Sequence, residues 1–155
     1  MSRFMVAGFI QIETIVKVDS LPVSYVQFQS VPDMIDTNIG GCGYNESMAL
    51  RWLGNEVDFM SMVGKDLNNN DFYKKLMVSG VDLSFEYVLP RLDSMPSSVI
   101  LYHNGTKQIF EDVKDIRTVA YDYELFERQI QDKDMVLISN CNFCRPLIEL
   151  AKKYQ

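Results

Sequence analysis

An α/β layered fold is predicted for this chain on three observations. Apolar runs have strand length, segments with helical spacing alternate with them, and a glycine-rich turn joins one kind to the other. The turn is Gly40-Gly41-Cys42-Gly43, which leads into a helix-like stretch and then an apolar run ending at Gly64. Glycine at such a turn lets the backbone take a positive φ or approach a ligand closely, and the amides entering the helix can point at an anion or a hydroxylated molecule. Asn45 would add a donor and an acceptor at its mouth. Turns of this kind also serve simply to reverse the chain between strand and helix.

In chain order, Phe4 to Ile10 is a continuous apolar run, as in a parallel strand buried on both faces. Glu13 to Val18 and Ser24 to Val31 alternate only approximately and read as half-exposed strands around a Leu21-Pro22 turn. Tyr44 to Leu53 has helical spacing and is closed by Gly54 at C′. Trp52 and Met48 there, with Met60 and Met62 in a strand over Glu56 to Val63, are expected in the core. Asn68 to Asp71 offers N-caps for a helix over Phe72 to Ser79 that Gly80 ends. Ser97 to Tyr102 and Thr106 to Phe110 flank Asn104-Gly105, a strong two-residue hairpin signal, and stand apart from the main sheet. Glu124 to Gln131 reads as helix, Met135 to Ser139 as a buried strand, and Pro146 sits early in a last helix running toward Tyr154.

Composition narrows the function classes. A chain of 155 residues is one domain by size, and 47% apolar residues with 12% aromatics suffice for a real core. A net charge of −6 without a Lys/Arg stripe argues against nucleic acid or an anionic membrane surface as partner. No run approaches the ~18 apolar residues of a membrane span, and Phe4 to Ile10 is too short, and broken by Gly8, for an export signal. Three cysteines, an odd number, make a disulfide framework improbable and point to the cytoplasm. The sequons Asn45-Glu46-Ser47 and Asn104-Gly105-Thr106 then carry no glycan.

The spacing of Gly40, Gly41, Gly43, Asn45 and Ser47, then Gly54, then Gly64, resembles the first signature of the ribokinase-like, PfkB-type carbohydrate kinases. The flanks agree: Phe4 to Gly8 looks like the opening strand, Val63 to Asp66 like the V-G-x-D turn, and Phe72 to Asp82 like the helix and G-V-D exit that follow. The resemblance covers nearly the whole chain. It implies a ribokinase-like, Rossmann-type layered sheet with a small β-lid, built from strands about 13–37 and 97–110, over a sugar or related polyol, and often a homodimer through the lid. ATP and Mg²⁺ are implied with it.

Carried over by position, the resemblance makes Gly40, Gly41, Gly43 and Asn45 sugar-binding. Gln11 and Glu13 stand where a shorter asparagine and aspartate are common. Glutamate keeps the acceptor chemistry with one methylene more reach, although a glutamate near a strand end is otherwise a solvated charge. Val99 and Leu101, with Ile109, would line the lid, but alternation alone leaves the choice of face open. At Asn140 and Cys141, where some members carry a substrate-contacting acid, none appears.

A second family signature, D-T-x-G-A-G-D, which supplies the catalytic base and anion hole near the C-terminus, is absent from this sequence. Members are about twice as long. Residues 1–155 therefore read as the N-terminal, substrate-binding half, truncated before the nucleotide-binding half and inactive without it; the alternative is a non-catalytic sugar-binding or regulatory protein. Phosphoryl transfer needs a base, anion donors and bound Mg²⁺. Asp112, Asp115 and Asp122 lie in polar stretches and read as solvated carboxylates, so no catalytic residue and no metal ligand is assigned. A buried Met135 to Ser139 strand would also need covering, by the missing half, a second copy or another partner.

Two rival constellations remain. Cys141-Asn142-Phe143-Cys144 is a C-x-x-C at a strand-to-helix junction, where a redox thiol would sit, though too little chain follows to complete a thioredoxin-like sheet. With Cys42 and His103 the pair could nominally supply four zinc ligands, but their separation along the chain favours coincidence and packing as small hydrophobes.

Overall fold

The computed structural model describes residues 1–71, 74 and 83–154. Its strands are β1 (Arg3–Ala7), β2 (Gln11–Lys17), β3 (Ile35–Gly40), β4 (Glu56–Gly64), β5 (Ser84–Leu92), β6 (Ser97–His103), β7 (Thr106–Asp112) and β8 (Met135–Ile138). Its helices are α1 (Cys42–Trp52), α2 (Tyr123–Gln129) and α3 (Arg145–Ala151). The helix expected over Phe72 to Ser79, with its Gly80 stop and the exit at Asp82, lies outside the described residues.

Four strands form a parallel sheet in the order β5-β4-β1-β8. Alternation along its central strands sends side chains to two cores. Met5 and Ala7 of β1 and Met60 and Met62 of β4 point toward α2 and α3, where Phe126, Ile130 and Leu147 meet them. Val6 of β1 and Val57, Phe59 and Val63 of β4 point the other way, against Tyr44 and Met48 of α1. Helices thus cover both faces, as the continuous apolar runs require. Asp122 caps α2 by accepting from the Leu125 N–H at 2.9 Å.

The other four strands form a second sheet, ordered β3-β2-β6-β7. The β6-β7 hairpin turns at Asn104 and Gly105 with φ of 45° and 82°, the paired positive values of the expected two-residue turn.

Several expectations are corrected. Ser24 to Val31 is not a strand; Tyr25 and Phe28 there are 92% and 85% exposed, and β2 pairs instead with Ile35–Gly40. That segment matches β2 residue by residue, setting Ile39 against Ile12, Thr37 against Thr14 and Ile35 against Val16, which Ser24 to Val31 with its imperfect alternation cannot do. Ser84–Leu92, unassigned from sequence, forms β5, and its Pro90 is tolerated because β5 is an edge strand. Trp52 is 72% exposed rather than core, since it ends α1 where the chain leaves through Gly54. Met48, Met60 and Met62 are buried as expected. β8 is covered on one face only: Val136 and Ile138 pack inward, while Met135 and Leu137 are exposed at the sheet edge.

Phe126, fully buried, fastens α2 to the sheet. Phe126→Ala is expected to cost about 3–5 kcal/mol by lost transfer and residual cavity, read as a lower urea midpoint; an unchanged midpoint would contradict this packing.

Candidate functional site

The site grows from the point where the two sheets meet. β1 ends at Ala7, and Gly8 to Ile10 carry the chain into β2 of the second sheet; β3 returns it to Gly40 and α1. Gly41 has φ of 100°, and a Cβ there would come within 2.6 Å of the Phe9 carbonyl oxygen, so conformation and space both require glycine. At Gly43 a Cβ would stand 2.5 Å from the Gly8 Cα, so the first turn of α1 rests backbone to backbone on the end of β1. Ser47, buried one turn on, donates its hydroxyl to the Gly43 carbonyl at 2.7 Å.

Glu13 closes over this turn. Its Oε1 accepts from the Gly41 N–H at 3.1 Å and from the Gln11 side-chain amide at 3.0 Å, with its carboxyl group directly over Gly40. It is therefore an oriented carboxylate rather than a loose surface charge. Gln11 is 5% exposed, and its Oε1 is buried without a hydrogen-bond partner. Ser98, paired in register with Glu13, is likewise buried with its Oγ unpartnered. Buried polar oxygens left unsatisfied cost roughly 1–3 kcal/mol each. Two beside one fixed carboxylate suit a ligand rich in hydroxyl groups.

Register extends this polar row across the second sheet as Asn38, Glu13, Ser98 and Glu111. Glu111 reaches the edge of a cleft of about 240 Å³, whose floor is apolar, from Phe9, Val113 and Ile116. Arg117 supplies opposite charge, and Asn140, Cys141, Asn142 and Cys42 complete the wall. Ser139, just after β8, donates its hydroxyl to Glu46 of α1 and holds the two sides of the cleft together.

Among the residues expected to bind sugar, Gln11, Glu13, Gly40, Gly41 and Gly43 come together. Asn45 lies on α1, exposed, with its N–H on the Gly41 carbonyl at 3.0 Å. Val99 and Leu101 pair with Thr14 and Val16, which places them on the face opposite Glu13; Ile109, paired with Ile100, shares the Glu13 face. Sequence reasoning passed over Ser98, one step along β6 from Val99 and so on the other face, and Glu111, two steps along β7 from Ile109 and on the same face. Only the pairing register, a non-local property, identifies them.

The three aspartates weighed as substitute bases have structural partners: Asp112 pairs with Lys114, Asp115 accepts from the Asp93 N–H at 3.1 Å, and Asp122 caps α2. Lys114 beside Asp112 holds its carboxyl below the usual range by donating to it. His103 lies at the hairpin end with Nδ1 2.9 Å from the Val18 carbonyl oxygen, and no group of three metal-ligating side chains is present among the described residues. Cys141 and Cys144 do meet, with their Sγ atoms 3.1 Å apart.

The pfkB family carbohydrate kinase model matches residues 1–151. No curated protein matches the chain. Among solved structures, a microbiome-derived acarbose kinase superposes with a TM-score of 0.78 at 22% identity, over 98% of this chain and 50% of that one. Arabidopsis thaliana ribokinase, complexed with ribose and ATP, superposes with a TM-score of 0.69 at 15% identity, over 99% and 51%. The Giardia lamblia ribokinase gives 0.69 at 14% identity, over 99% and 51%. The chain spans about half the length of these structures, and the likeness shows a shared ribokinase-like fold.

Gly43→Ala forces a methyl group against the Gly8 backbone. A loss of about 1–3 kcal/mol is expected from such overpacking, measured by chemical denaturation; stability equal to the parent chain would mean that α1 is not seated as described.

Proposed function

Since the chain belongs to the pfkB family of carbohydrate kinases, we propose that it is the substrate-binding half of an ATP-dependent sugar kinase that transfers phosphate to a sugar hydroxyl. The observation that carries this reading is the Glu13 carboxylate, fixed by the Gly41 N–H beside the unpartnered oxygens of Gln11 and Ser98. A carboxylate so held accepts hydrogen bonds from two neighbouring hydroxyls, which is the chemistry of a sugar or polyol. Charge-assisted bonds of this kind are worth roughly 1.5–3 kcal/mol each, enough to orient a ring within the site.

The second sheet then acts as the lid. Glu13, Ser98 and Glu111 face the sugar, and Asn45 contributes from α1. The opposite face, with Val99 and Phe110 exposed, is the surface through which two copies associate as a homodimer. The odd number of cysteines, none of them in a disulfide, favours the cytoplasm as the protein's place of work.

ATP and Mg²⁺ belong to this reading; the described residues bring together no group of three His, Cys, Asp or Glu side chains that would hold the cation. The role assigned to these residues is to bind and orient the acceptor, and phosphoryl transfer awaits the nucleotide-binding half.

Calorimetry of the chain with a panel of monosaccharides and polyols tests this reading. Binding without ATP turnover is expected, and Glu13→Gln, which retains an acceptor for the Gly41 N–H, is expected to weaken it at least about tenfold, some 1.4 kcal/mol, with the melting temperature held. Absence of binding across the panel, or equal affinity of the variant, would overturn it.

A further inference from the structure

The cysteine pair at the end of β8 is chemistry that sugar binding leaves unused. After Ile138 the chain turns with the Cys141 N–H on the Ser139 carbonyl at 2.8 Å and the Cys144 N–H on the Cys141 carbonyl at 3.0 Å. That turn brings two free thiols to an Sγ separation of 3.1 Å. The two are unequal. Cys141 is half-buried and lines the cleft between Asn140 and Asn142, within reach of a small reagent. Cys144 is 1% exposed and packs in the core beneath α3.

Their contact also shifts the two thiols in opposite directions. The hydrogen-bonded contact between the two sulfurs draws Cys141 below the usual thiol range, against the opposing effect of its burial. The same contact, reinforced by burial, holds Cys144 well above that range. A reachable sulfur drawn below the usual thiol range, 3.1 Å from a buried thiol held above it, is the pairing of an attacking and a resolving cysteine. Cys42, exposed at the start of α1, lines the same cleft but takes no part in the 3.1 Å contact.

We propose that Cys141 and Cys144 form a reversible redox site, oxidised by low-molecular-weight disulfides of the glutathione class to an intramolecular disulfide in the wall of the cleft. The Cys141 thiolate attacks one sulfur of the reagent; the reagent's S–S bond breaks, and one thiolate leaves and takes a proton from solvent. Cys144 gives up its proton and attacks the Cys141 sulfur of the mixed disulfide, expelling the second reagent thiol. Two electrons pass from the cysteines to the reagent, and two reagent thiols are released. The sulfurs need to close from 3.1 Å to a bond of about 2.05 Å, a shift on the order of 1 Å. Oxidation then ties the wall formed by Asn140 to Asn142 to the core residue Cys144. The site stands whether or not the chain binds sugar.

The test uses the chain in glutathione buffers of rising disulfide-to-thiol ratio, followed by acid quench, denaturation, alkylation and peptide mass mapping. Alkylation is expected to disappear from Cys141 and Cys144 along one shared curve, with Cys42 still alkylated and dithiothreitol restoring both. Cys144→Ser is expected to arrest with glutathione on Cys141. The proposal is overturned if wild-type Cys141 accumulates glutathione while Cys144 stays alkylable, if either pairs with Cys42, or if both remain alkylable at the most oxidising ratio. The wild-type titration decides this alone, so a variant that misfolds does not affect the outcome.

Discussion

The hydrogen bond from the Gly41 N–H to the Glu13 carboxylate is the interaction on which the rest of the site depends, because it joins the second sheet to the turn that starts α1. For the bond to form, β3 must deliver Gly40 directly beneath the carboxyl group, and Gly41 must take a backbone conformation that brings it against Phe9. The Gly43 contact with Gly8 then sets the height of α1 above β1, and Tyr44 and Met48 enter the core from there. A side chain at the turn would separate these layers, and the polar row would lose its alignment with the cleft.

Energetics explain why the arrangement can leave oxygens unpaired. The two apolar cores hold fully buried side chains such as Phe59, Met60 and Phe126, each worth roughly 1.5–3 kcal/mol on burial. A penalty of about 1–3 kcal/mol for each unpartnered oxygen of Gln11 and Ser98 is small against that total. Stability therefore resides in the parallel sheet and its helices. The second sheet, with exposed residues along the whole of β7, carries recognition instead.

Features with local causes were legible in the sequence. The glycine turn, α1 with its Gly54 stop, the apolar β4 and the Asn104-Gly105 hairpin each depend on residues close together in the chain, and each is present. Features set by distant partners were not legible. Whether Ser24 to Val31 or Ile35–Gly40 pairs with β2 depends on residue matching across the sheet, and β5 is acceptable despite Pro90 only because it lies at an edge. For the same reason the site was half visible. Gln11, Glu13 and the glycines follow from a motif, whereas the choice of Ser98 over Val99 follows from how β6 aligns with β2. Trp52 and β8 show the same limit, since apolar spacing says nothing about where a helix ends or a sheet stops.

Backbone and side-chain amide NMR during titration with the tightest-binding monosaccharide or polyol tests the central claim most directly. The account requires the largest shifts at the Gly41 amide, the Gln11 side-chain amide and the Ser98 amide, which surround the Glu13 carboxylate. Shifts centred on the β4-β5 side of the parallel sheet, with these three signals unmoved, would contradict it.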